Sequence, residues 1–113
     1  MSGSVNLSRR LALEERVSTP DGAGGFVVDW KELGMLWADV AARTGSEDFV
    51  GGQVRPRIKY RILVRGAPLG SASRPRPDQR FRDGTRIFNI LTVAEFDPRG
   101  RYLEVYAEEG VLP

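Results

Sequence analysis

The side chains best spaced to do chemistry lie in one run, Val54-Arg55-Pro56-Arg57-Ile58-Lys59-Tyr60-Arg61-Ile62-Leu63-Val64-Arg65. Apolar residues or proline hold the even positions, and cations hold most of the odd ones. A strand sends successive side chains to opposite faces. The run therefore predicts a buried row of Val54, Ile58, Tyr60, Ile62 and Val64 and an outer stripe of Arg55, Arg57, Lys59, Arg61 and Arg65. Such a stripe works electrostatically. It can neutralise phosphates without reading base sequence, or it can pair with carboxylates on adjacent strands or adjacent molecules. From Arg55 to Arg86 there are ten basic residues against two acidic ones, while the rest of the chain has seven basic against thirteen acidic, so the net charge of +2 conceals two opposed halves. Glu14, Glu15, Glu104 and Glu108 are the acidic counterparts in that division.

Other chemistry is restricted by what is missing. With no histidine and no cysteine, the commonest general base, the commonest zinc ligands and the thiolate nucleophile are all absent. The carboxylates show no metal-ligand or acid/base spacing, and Gly22-Ala23-Gly24-Gly25 lacks the strand, helix start and lysine of a phosphate-cradling loop. No catalytic, metal or cofactor site is predicted. Without an apolar run of membrane-spanning length or a signal-peptide core, the chain reads as a soluble product made in the cytoplasm.

The elements that must position the stripe can be read in outline. At 113 residues the chain is expected to form one domain over 1–113 with a flexible N-terminus over 1–6. Leu7 to Val17 and Phe26 to Trp30 read as two strands around a Pro/Asp/Gly turn from Thr19 to Gly25, a hairpin with an extended loop. Lys31 to Arg43 is ambiguous. Leu33, Leu36, Trp37, Val40 and Ala41 fit helical spacing, yet Met35 to Val40 also fits a strand, and the local pattern leans to helix. Trp37, between Leu36 and Ala38, is expected in the core. Ser46 to Val50 resembles a short helical turn with a serine cap, ended by Gly51-Gly52.

Gly66 to Pro77 is a small-residue, proline-rich loop whose Arg74 and Arg76 make it a candidate docking arm. Asp83-Gly84 marks a tight hairpin. Ile87 to Leu91 is apolar on both faces, as in a strand covered on each side. After the Asp97 to Gly100 turn, Leu103, Val105 and Ala107 face one way and Tyr102, Glu104, Tyr106 and Glu108 the other. These short strands predict a mainly β fold, a small antiparallel barrel or sandwich with at most one short helix and long loops.

In order along the chain, Arg10-Leu11, Asp21-Gly22-x-Gly24-Gly25, Trp30, Leu36-Trp37-Ala38-Asp39-Val40, Gly45-x-Glu47, Tyr60-Arg61-Ile62-x-Val64-Arg65, Arg82-Asp83-Gly84-x-Arg86-x-Phe88-x-Ile90 and Arg101-Tyr102-Leu103 resemble the phage head-tail connector family of adaptor, head-completion and stopper proteins. The resemblance spans about Arg9 to Glu108. It implies a β-barrel subunit in the neck of a tailed phage or a phage-like gene transfer agent, and it makes Trp37 to Val40 a strand. It further implies a homo-oligomeric ring, six-fold favoured and twelve-fold possible. A portal or adaptor ring would lie on the head side, a tail terminator or tail tube on the tail side, and double-stranded DNA would pass without sequence-specific contact. No membrane is involved.

A ring needs two different complementary patches on each subunit. The basic stripe and the acidic residues supply such a pair. Thr44 to Pro56, with Glu47 and Phe49, is a second candidate loop for docking or gating. The competing reading is a free-standing nucleic-acid-binding barrel of the oligonucleotide-binding or SH3-like type. That reading needs aromatic residues beside the cations, whereas Tyr60 falls on the opposite face.

Overall fold

The computed structural model describes residues 4–50 and 53–110, with side chains described outside 44–57. Its six strands are β1 (Arg9–Pro20), β2 (Phe26–Val50), β3 (Gln53–Arg65), β4 (Arg80–Asp83), β5 (Arg86–Glu95) and β6 (Tyr102–Glu109). All pairings are antiparallel, and the order β1-β2-β3-β6-β5-β4 closes into a barrel when β4 pairs with β1. Among the described residues there is no helix.

The barrel interior follows from strand parity. Leu11, Leu13, Ala38, Ile62, Val64, Phe81, Phe88, Ile90, Leu103, Val105 and Ala107 form one buried cluster, with Leu33, Leu36, Val40, Tyr60 and Val93 packed against it. Tyr60 meets Phe88 edge to face, with ring centroids 5.1 Å apart, the arrangement that sets one ring's positive edge against the other's negative face. Closing so few strands requires sharp bending. Bulges supply it at Leu13/Glu14, Ala42/Thr44 and Ile90/Thr92, because an extra residue on one strand kinks it and increases its twist.

Several local expectations need correction. Lys31 to Arg43 is strand throughout, so the helical spacing is overruled and the strand implied by the resemblance is found. Leu36, Ala38 and Val40 turn toward the core, which leaves Trp37 on the outer face, 55% exposed and not buried as expected. Ser46 to Val50 continues β2 opposite β3 and is not a helical turn. Ile58, an inward position by alternation, is exposed, because it forms the last β3–β6 pair, with Glu109, at the rim of the barrel. Leu91 is exposed, unlike Ile87, Phe88 and Ile90; it is the extra residue of the β5 bulge. The tight hairpin is present, but Asp83 pairs with Arg86 and the two loop residues are Gly84 and Thr85. Gly84 has φ 62°, the left-handed geometry for which glycine is selected at the first loop position.

The β1–β2 hairpin is closed by an Asp21 carboxylate that accepts hydrogen bonds from the amides of Ala23 and Gly25 at 2.8 and 3.0 Å. These amides hold the carboxyl below the usual aspartate range.

Candidate interface surfaces

Much of the basic window is satisfied within the subunit. On the outer face where β1 meets β4, Glu14 is buried, and its carboxylate accepts hydrogen bonds from Arg80 Nε at 2.7 Å and Arg82 Nε at 2.8 Å. Burial pushes this carboxyl up, but the hydrogen bonds and charges of Arg82 and Arg80 outweigh it and leave the pKa lowered. The Arg80 guanidinium also lies 4.1 Å from the centroid of the half-buried Trp30 ring, a cation–π contact. Arg82 reaches Glu32 at 3.9 Å, and Arg9 pairs with Asp83.

A second network joins β3, β5 and β6. Arg86 grips Glu109 with Nε at 2.8 Å and Nη2 at 3.2 Å. The Tyr60 hydroxyl donates to Glu109 at 2.9 Å and accepts from Arg86 at 3.1 Å. Arg86 pulls the Glu109 carboxyl below its ordinary range against the effect of burial. Burial and the adjacent Glu109 push the Tyr60 hydroxyl up. Tyr60 therefore serves the core and this latch; the aromatics beside the β3 cations come from elsewhere, Phe96 against Arg61 and, in the β3–β6 register, Tyr106 opposite Arg61 and Tyr102 opposite Arg65.

The remaining stripe residues are placed as follows. Lys59 and Arg65 are exposed, and Arg61 is half-buried with its guanidinium 5.9 Å from the Phe96 ring centroid. Lys59 stands opposite Glu108, and Leu63 opposite Glu104, in the β3–β6 register. Arg55 and Arg57 pair through the backbone with Asp48 and Ser46; their side chains, with those of Glu47 and Phe49, lie outside the described residues.

The Gly66 to Pro77 segment folds back on the barrel. Its Pro75 is buried, Arg74 Nη1 donates to the Ala67 carbonyl at 3.0 Å, and Arg76 Nη2 pairs with Glu15 at 2.8 Å. Two of the four acidic candidates, Glu14 and Glu15, thus hold arginines of their own subunit.

The surface also carries apolar residues that sequence reasoning missed: Phe26, Val27, Val28, Met35 and Trp37 are all exposed. Strand parity counted outward from Ala38 would have revealed Met35 and Trp37. Among the described residues no group of three or more acidic side chains could hold a metal ion. No helix there is long and apolar enough to cross a membrane. The surface offers charge pairing and apolar contact, the chemistry of assembly.

Comparison with known proteins agrees. The family model described as "Phage head completion protein" matches residues 4–110. A solved chain from the "Virion of native gene transfer agent (GTA) particle" superposes with a TM-score of 0.83 at 47% identity, covering 99% of this chain and 100% of that one. Among curated proteins, no match is found.

Proposed function

Because this chain belongs to the phage head completion protein family, we propose that it is a structural component of a phage-like particle, joining head to tail in the neck of a gene transfer agent or tailed phage. The 47% identity over nearly the full length of a gene transfer agent virion chain carries this reading. The whole chain acts as one barrel unit. Identical copies, six by preference, form a ring between a portal or adaptor ring on the head side and the tail terminator or tube on the tail side, and DNA passes through the centre. The work is geometric and electrostatic rather than catalytic. Lys59, Arg61 and Arg65 serve chiefly contacts between subunits. A wall that gripped phosphates strongly would slow the passage of DNA.

Deletion of the gene from a producing strain tests the role. Filled heads without tails are expected, and purified protein added to those heads should restore tail attachment. Complete tailed particles from the deletion strain would refute the proposal.

A further inference from the structure

Two exposed apolar patches lie on the same long strand, β2. The first is the tip of the β1–β2 hairpin. Beyond Glu14↔Arg80, the last β1–β4 pair, β1 and β2 continue as a two-stranded ribbon to Pro20↔Phe26. Alternation puts Phe26 and Val28 on one face of this ribbon and Val27 and Asp29 on the other. Phe26 is 68% exposed, Val27 53% and Val28 43%. The second patch is a groove of about 470 Å³ lined by Leu7, Met35, Leu36, Trp37 and Arg65. Arg10 places its guanidinium 6.0 Å from the Trp37 centroid, so two cations border this groove. Asp39, on the same face, is already engaged by the Asn6 amide at 3.0 Å.

We propose that the hairpin tip of one copy docks into the Met35/Trp37 groove of the next copy, with Asp29 beside Arg65 and Arg10. This rests on the ring reading above and names the contact that would close it. The two patches are complementary in kind: an apolar knob with an acid meets an apolar groove with cations. Their centres, Val27 and Leu36, are nine positions apart on β2, or about 30 Å at the rise of a strand. They therefore cannot meet within one copy. Since every copy carries both, satisfying one patch leaves the other open for the next subunit, the repeating head-to-tail geometry that generates rings. Trp37 is the kind of aromatic anchor that dominates interface energetics, and the opposed charges fix the orientation.

The chain has no cysteine, so introduced thiols report contacts directly. In purified particles carrying both Val27→Cys and Met35→Cys, a short bis-maleimide should yield a ladder of this chain up to the size of the ring. Particles assembled from an equal mixture of the two single variants should give dimers and no longer products. Two results would overturn the docking proposal while leaving the ring intact: a neck ring seen in reconstructions without any ladder, or cross-links to a portal or tail protein instead. A copy number of one per particle, measured by mass spectrometry, would sink both readings.

Charge reversal supplies a second arm. Asp29→Arg and Arg65→Glu should each lower the yield of tailed particles by about tenfold, with unchanged thermal melting, and the double variant should recover most of the loss. A double variant no better than either single one would contradict the pairing.

Discussion

Glu14 and Arg80 meet at 2.7 Å across the narrowest seam of the barrel. Only three residue pairs join β1 to β4 there, Ala12↔Arg82, Leu13↔Phe81 and Glu14↔Arg80, and without them the sheet would stay open. One buried carboxylate shared by two arginines therefore reinforces the closure where the backbone ladder is shortest. Removing one partner of such a pair leaves the other charge uncompensated. We expect Glu14→Gln to cost about 2–3 kcal/mol in urea unfolding. Arg82→Gln should cost clearly less, because the Arg82 side chain is 39% exposed and water screens it. Equal losses from the two substitutions would refute the clamp.

Acid should loosen the same contacts. Glu14 and Glu109 both have folded-state pKa values below the ordinary glutamate range. As the pH drops, the unfolded chain takes up these protons first, so the stabilisation is complete above about pH 5 and disappears as the pH falls through the lower folded values. The melting temperature should hold steady from neutral pH to about pH 5 and then decline. Glu14→Gln should make that decline shallower, and an unchanged slope would count against the assignment.

Gly66 tests how the long loop is anchored. Its amide donates to the Arg101 carbonyl at 2.7 Å, and a Cβ built there would lie 2.0 Å from the Gly100 carbonyl oxygen. Because the obstacle is backbone, Gly66→Ala should cost more than about 3 kcal/mol or abolish folding. Gly70, in the same loop, has φ 85° but open space around it, and Gly70→Ala should cost about 1 kcal/mol. Circular dichroism melts of the two variants would rank them, and the reverse order would refute the packing.

Exposure separates folding from assembly. Phe88 is fully buried, so Phe88→Ala should destabilise the barrel by about 3–5 kcal/mol. Trp37 lies on the outer face, and Trp37→Ser should change the unfolding free energy by less than about 1 kcal/mol. A large loss from Trp37→Ser would mean that the side chain is part of the core after all.

Salt should weaken the proposed ring. Contacts between exposed charges such as Asp29 and Arg65 are screened within about 10 Å at 0.1 M ionic strength and more strongly above it. Isolated necks should release this chain as salt is raised, as followed by sedimentation. Retention independent of salt would leave apolar contact as the sole adhesive.

The barrel was legible in the sequence where alternation was strict. Tyr60, Ile62 and Val64 point inward, as do Leu103, Val105 and Ala107, because period-2 patterning leaves a strand one way to bury itself. It failed where two periods coincide. Leu36 and Val40, four apart, share a face in a helix and in a strand alike, so only cross-strand pairing of Leu36 with Leu11 and Val40 with Ile62 decides between them. The exposure of Leu91 depends on a bulge that nothing in its own residue type announces. The charge asymmetry was visible, but its resolution was not. That Arg76, Arg80, Arg82 and Arg86 pair with Glu15, Glu14 and Glu109 depends on which strands become neighbours, and for β1 and β4 those are far apart in sequence.

The place of this chain in the particle is tested most directly by a reconstruction of the neck at a resolution that traces strands. Six copies of this barrel should surround the axis between portal and tail, each β1–β2 hairpin tip seated in the Met35/Trp37 groove of its neighbour. Density for the barrel away from the axis, or as a solitary subunit, would contradict this arrangement.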